Sequence, residues 1–380
     1  MIPRLKRKSW AALLGAALIC AVLPSFAQDA SDGNTPGATA PRGAIEAYLA
    51  ARRTYEAEAQ TYWQSITDKR RVRFAKRRDG KPIALDDYVL TQPPLYSGPP
   101  RPAGYIPPEK EPAPRPEPIP NIADFLKAAE EQYRFVPDRP KNDLEFKRAY
   151  AKAAAAAGLT REQAVRIYAF ETGGNGTYDG QAGIVGNRKN ARPISPAMGY
   201  NQLLSTNSVS LLAEHGDKIV KTLKAANVAA TKIAALQQMV DFSRTVPNVW
   251  SHHDRLAKTT PGGMGIHAAV LDRDIGPLLQ TQKLLDSVVF ARSKGHERAL
   301  TAAELEMMNF TGDGNGFDLV TMPQDFREKV PTSNFFQRGG YERNPIARRT
   351  GTAAALFKSI DTKMDSASQA QGAKELFAAF

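Results

Sequence analysis

The sequence predicts a mainly α-helical protein with room for one small β-hairpin. Three observations predict it. From about Ile122 onward, apolar residues recur at helical spacing in segment after segment. Helix boundary signals are frequent and well placed. Strand signals are few, and only Tyr178 to Ile194 offers alternation and turn residues suited to a short hairpin.

The elements can be taken in order. Arg4, Lys6, Arg7 and Lys8 form a basic start, and Trp10 to Leu23 is an apolar run too short to span a bilayer comfortably. Pro24-Ser25-Phe26-Ala27 then sets small residues at the cleavage positions, so residues 1–27 read as a secretory signal peptide. The only cysteine, Cys20, lies inside that run and follows Ile19, which excludes a lipoprotein site. A mature chain beginning after Ala27 has no thiol, so thiol catalysis, disulfides and cysteine metal sites are excluded. No later segment is apolar enough to cross a membrane, and the expected location is periplasmic or secreted.

Residues 28–42 are small and polar, as expected of a flexible leader. Gly43 to about Ile66 has helical periodicity, with Ile45, Tyr48, Leu49, Tyr55, Tyr62 and Trp63 among charges. The basic stretch from Lys69 to Arg78 is expected to be a solvated turn, with contact to an anionic polymer as the alternative. Residues 92–120 are proline-rich and read as an extended spacer or strap, partly docked through Leu95, Tyr96, Tyr105 and Ile106. A strap that restrained a catalytic cleft would be released by truncation to residue 121.

Helices are expected at Ala123–Tyr133 and Asp143–Ala157. Thr160-Arg161-Glu162-Gln163 is a capping box that opens another, running to about Glu171. Further helices are expected at 205–225, 229–244, 265–289, 301–309 and 351–378. The resulting division is a signal peptide (1–27), a helical, basic and proline-rich region (28–121), one domain over 122–350, and a C-terminal helix (351–380).

The net charge is +12, the isoelectric point about 9.6 and the mean hydropathy −0.40. Loss of the signal peptide's four positive charges leaves +8. Such a balance suits an anionic partner without selecting one. Nucleic acid is not expected, because no nucleic-acid-binding motif is present and export argues against it. No P-loop, dinucleotide fingerprint or nucleophile elbow occurs. His252-His253 lacks metal-ligand spacing, and Asp313 to Asp318 misplaces the glycine of a calcium loop, so neither metal nor cofactor is expected.

The chemistry concentrates in Ile167 to Gly176 (IYAFETGGNG). Glu171 follows Ile167 by one turn on the same helix face, near the helix C-terminus. Loss of water and the helix dipole both disfavour its charged form, as a general acid at neutral pH requires. Glycines follow, where a substrate could approach the backbone. Downstream, Gly199-Tyr200-Asn201-Gln202 precedes an apolar pair, and Glu304 to Asp318 reads as a helix end entering a glycine-rich loop with Asn309 at the junction.

ETGG, GYNQ and MNFTG in that order resemble the lytic transglycosylase (lysozyme-like) family, whose motifs are of the type ESGG, GLMQ and AYNxG. The resemblance covers roughly 140–345. It implies a lysozyme-like domain that cleaves peptidoglycan glycan strands, with Glu171 as catalytic acid/base. It also implies substrate-binding roles for Thr172, Gly174, Tyr200, Asn201, Gln202, Asn309 and Phe310. Met308 stands where that family's tyrosine touches the acid, and Tyr200 is the candidate substitute. The family uses one carboxyl and leaves a 1,6-anhydro end; a hydrolytic muramidase would need a second, for which Asp179 is the candidate. A non-catalytic wall-binding or scaffolding protein is the further alternative, supported by Met308. A monomer is expected, with cell-envelope machinery as the candidate partner complex.

Overall fold

The structure, a computed structural model, describes residues 41–105, 118–184 and 191–380. The signal-peptide reading of residues 1–27 and the leader of 28–40 lie outside them, as does Ile106. The described chain is mainly α. In order its helices are α1 (Arg42–Arg78), α2 (Ile122–Tyr133), α3 (Asp143–Ala156), α4 (Arg161–Thr172), α5 (Ser205–Ala225), α6 (Ala230–Ser243), α7 (Trp250–Thr259) and α8 (Pro261–Ile266). After these come α9 (Gly276–Ser293), α10 (Ala302–Thr311), α11 (Asp313–Thr321), α12 (Gln324–Arg327), α13 (Arg338–Arg343), α14 (Pro345–Thr350), α15 (Ala353–Ala367) and α16 (Gln371–Ala379). None among the described residues is long and apolar enough to cross a membrane.

The described residues contain no sheet. Residues 185–190 of the expected hairpin lie outside the described residues; on either side of them Ile194 donates to the Ala182 carbonyl and Ala182 to that of Ala197, and Met198 makes single bridges to Gln181 and to Leu203. Pro193 and Pro196 lack the amide donors a ladder needs, and Gly183 and Gly199 turn the chain through positive φ of 90° and 82°.

Two compact units share the chain. Among the described residues, one comprises Ile119–Met322 with Phe357–Phe380, the other those from residue 41 to Pro118 with Pro323–Leu356. The sequence boundaries at 121 and 350 differ from this: 323–356 packs with the N-terminal region.

In the first unit, α4 and α10 form the centre. Residues 167–170 of α4 are all buried, and so is every residue of α10. Helices apolar on nearly every side can only be satisfied inside other helices, and these two pack on each other. Both begin with a capping box, Thr160 with Gln163 and Thr301 with Glu304, which satisfies amides at the helix starts. Around them lie Phe125, Phe146, Tyr150, Leu212, Leu279 and Leu319, all fully buried.

Three expectations change here. The helix foreseen over 265–289 is broken into α8, a 3-10 turn (His267–Leu271) and α9. The buried Asp272 carboxylate holds the break, accepting from the amides of Asp138, Asp274 and Ile275 and pairing with Lys232 at 3.0 Å. The foreseen glycine loop after Asn309 is helical from Asp313. Gly312, at φ 82°, makes the corner, and Gly316 lies so close to Met308 that a Cβ would stand 2.3 Å from its Cα. Lastly, the C-terminal segment is two helices. α16 folds back on α3 and α4, with the Gly372 amide donating to Asn175 Oδ1 at 3.0 Å.

In the second unit α1 continues through the basic stretch, so the solvated-turn expectation for 69–78 fails. Arg73 is fully buried, donating to the carbonyls of Asp87 (3.0 Å) and Asn334 (3.1 Å) and lying over the Tyr88 ring. Arg70 donates to the carbonyls of Phe336 (2.6 Å) and Asn334 (3.2 Å). Burial lowers both guanidinium groups to about 10, still charged at neutral pH. The proline-rich strap docks on α1 as expected: Tyr96 packs edge-on against Tyr48 and Tyr55, and Tyr105 against Tyr48. Leu95 is exposed instead.

Candidate functional site

Glu171 sits in the last turn of α4, which stops because Gly173 adopts the left-handed conformation. The side chain is partly buried and faces α10. There Asn309 Nδ2 donates to Glu171 Oε1 at 3.1 Å, joining residues 138 apart in sequence. Burial pushes the Glu171 carboxyl up from 4.5 to about 7, against the opposing influence of a hydrogen bond with Glu306 and the charges of Lys363 and Lys283.

Glu306 was not foreseen. It lies one turn before Asn309 on α10 and is fully buried, on the helix face that carries Asn309 toward Glu171. Neither of its carboxyl oxygens has a hydrogen bond of good geometry, and the polar side chains beside them are those of Asn309 and Glu171. Burial, and after it the neighbouring Glu171, raises its pKa well above the ordinary carboxyl range. Two cations complete the surroundings. Lys363 of α15 holds its Nζ 4.3 Å from the centre of the Phe170 ring. Lys283 of α9 faces Glu171, Glu306 and Asp313 electrostatically. Asp313 is itself raised by burial and accepts from Ser287 Oγ at 2.6 Å.

Lys283 and Asp313 also line a pocket, with Asn207, Ser210 and Glu214 of α5, Trp250 of α7, Asp286 of α9 and Gly312. Leu211 and the Trp250 indole are its apolar side chains.

Of the residues singled out in the sequence, only Glu171 and Asn309 are brought together. Thr172 Oγ1 is turned back onto the Tyr168 carbonyl at 2.7 Å. Gly174, at φ 80°, is not a substrate platform: a Cβ there would lie 2.1 Å from the Ala367 carbonyl oxygen, so the position serves the docking of the α15–α16 turn. Tyr200 does not replace the missing tyrosine. It is fully buried and donates to Asp143 Oδ1 at 2.9 Å, with edge contacts to Tyr150 and Tyr168. Asn201 is buried between Tyr150 and Gln280. Gln202, strained at φ 44°, donates from its amide to the carbonyls of Gly180 and Gly199. Phe310 and Met308 are core. Asp179 is held by Arg139 at 2.5 Å and by Thr177 Oγ1 at 2.7 Å.

The arrangement can hold and move one proton at near-neutral pH. Carboxyls close enough to hydrogen-bond cannot flank a glycosidic bond as two separate reactants, which requires about 5–9.5 Å between them. The geometry therefore offers a single reacting acid with a carboxyl neighbour.

Searches against protein-family models, curated proteins and solved structures return no match to this chain.

Proposed function

We propose that this chain is a lytic transglycosylase-type enzyme that cleaves peptidoglycan between N-acetylmuramic acid and N-acetylglucosamine, with Glu171 as its single acid/base. The observation that carries the reading is the Asn309–Glu171 hydrogen bond at a carboxyl poised near pH 7. It joins the first and third motifs of the resemblance, and a general acid works best with its pKa near the working pH. Protonated Glu171 gives its proton to the glycosidic oxygen. The substrate's N-acetyl group stabilises the cationic centre. The Glu171 carboxylate then takes a proton from the muramic C6 hydroxyl, whose oxygen closes the 1,6-anhydro ring. Asn309 keeps the carboxylate oriented in both steps. An exported protein would meet this substrate in the cell envelope.

A second reading, a wall-binding or scaffolding protein without turnover, is favoured by one observation: Gly174, Tyr200, Asn201 and Gln202 are all committed to internal packing or backbone bonds. Hydrolysis with Asp179 as second carboxylate loses support, because Asp179 is engaged by Arg139 and Thr177.

The test is mass spectrometry of soluble products from purified peptidoglycan incubated with the wild type and with Glu171→Gln. Anhydromuropeptides from the wild type, reduced at least ~100-fold in the variant, are expected. Reducing-end products would indicate the hydrolase. No product from either, with sedimentation on intact sacculi, would indicate the scaffold.

A further inference from the structure

Glu306 is fully buried in a helix beside Leu305, Met307 and Met308; its oxygens lack a hydrogen bond of good geometry, and the one N–H group beside them, the Asn309 amide, already donates to Glu171. A carboxylate in that state would be costly, because a buried charge needs partners to replace its water. It has two ways to be tolerated: pairing with a lysine, or keeping its proton. The structure shows no ion pair from Glu306 to Lys283 or Lys363 among the described residues, whereas Glu171 lies across the α4–α10 contact within hydrogen-bonding reach. A protonated carboxyl is a donor as well as an acceptor, and a carboxyl donor is the partner Glu171 gains when it becomes ionised.

We propose that Glu306 is a positioning residue that stays protonated throughout and donates its O–H to the Glu171 carboxylate, setting the pH at which Glu171 exchanges its proton. The idea deepens the reading of Glu171 as the acid/base. When Glu171 gives its proton to a leaving oxygen, Glu306 keeps its own and stabilises the anion left behind. When Glu171 takes a proton from the attacking hydroxyl, the pair returns to its first state. The pair's charge passes from 0 to −1 and back, never reaching −2. Lys283 on α9 and Lys363 on α15 favour that single negative charge from two sides, while Asp313 on α11, its carboxyl raised by burial, shares Lys283 with the pair. Buried Glu306 is kept neutral in the manner known for carboxylic acids that act as hydrogen-bond donors in apolar sites.

The experiment is a carboxyl-carbon NMR titration of the full chain labelled at glutamate, which requires no turnover. Glu171→Gln and Glu306→Gln assign the two signals. In the wild type, the Glu171 signal is expected to titrate near neutrality while that of Glu306 stays in its protonated form over the same range. Glu306→Ala removes the donor to the anion, so the Glu171 titration should move upward by about one pH unit or more. Glu306→Gln keeps an N–H donor and should restore it close to the wild-type position. A purely structural role for Glu306 predicts no such split between the two variants. The proposal is overturned if Glu306 itself ionises below neutrality, or if Ala and Gln leave the Glu171 titration equally unmoved. Should Glu306→Ala fail to fold, the wild-type Glu306 signal decides alone. Peptidoglycan digestion beside it separates the two ideas: no product with the expected titrations removes the transglycosylase reading and leaves the pair's proton arrangement standing.

Discussion

A carboxyl that both gives and takes a proton near neutrality must be lifted out of its ordinary range, and at Glu171 burial does this. The sign follows directly. Protonated Glu171 is the donor, so turnover that depends on it should be present below about pH 7 and be lost as pH rises through that value. Stability should move the same way. The unfolded chain gives up the Glu171 and Glu306 protons near the ordinary 4.5, while the folded chain holds that of Glu171 to about 7 and that of Glu306 to well above 4.5. Between those values the native state binds more protons, so stability falls as pH rises. We expect the wild-type melting temperature to drop by on the order of 5 °C between pH about 5 and about 8, and Glu306→Gln to flatten that slope. A melting temperature that rises over that interval in the wild type, or a slope unaltered in the variant, would refute this. Glu171 and Asn309 were legible in the sequence because each stands in a short motif with glycines beside it. Glu306 was not, since a glutamate inside a helix ordinarily faces water. The available signal was its apolar company in ELEMMNF.

At the scale of elements, start signals were the most legible feature. The Thr160 capping box and the opening of α2, α3 and α10 fall within a residue or two of where Asn, Thr and their carboxyl or amide partners place them. The failures are physical as well. Gly312 to Gly316 suggested a loop, yet glycine there lets α11 approach α10 at backbone distance, a tertiary gain that outweighs poor helix propensity. The same logic reassigns Gly174 from substrate to packing. Gly174→Ala must clash with the Ala367 carbonyl and force a side chain into positive φ. It should cost about 2–4 kcal/mol of stability, as expected for a backbone clash combined with strain. Denaturant unfolding measures it. A loss of peptidoglycan binding with unchanged stability would instead return Gly174 to the substrate.

Taken as a whole, the chain departs most from its linear reading in which segments belong together. The sequence reading divided the chain at 121 and 350, and raised the proline-rich segment as a restraint that truncation to residue 121 would release. Contacts within the second unit argue otherwise. Its core is assembled from α1, the strap and residues 323–356, which are far apart in sequence. Trp63 packs on Tyr341 at 5.4 Å, Tyr88 on Phe335 at 6.2 Å, and Tyr62 shares a 2.6 Å hydrogen bond with Ser333. Arg70 and Arg73 tie α1 to the carbonyls of Asn334 and Phe336. A chain starting at Ile119 keeps 323–356 and removes what covers it, exposing Phe335, Phe336 and Tyr341 together. Such a patch favours aggregation. The deletion should therefore yield insoluble protein, or soluble protein with strong binding of a hydrophobic dye. Replacing 323–356 by a Gly/Ser linker in the same deletion should relieve this, because the exposed aromatics leave with the segment. If the simple deletion is soluble, melts cooperatively and binds no dye, the segment does not need α1, and the linear division of the sequence would stand after all.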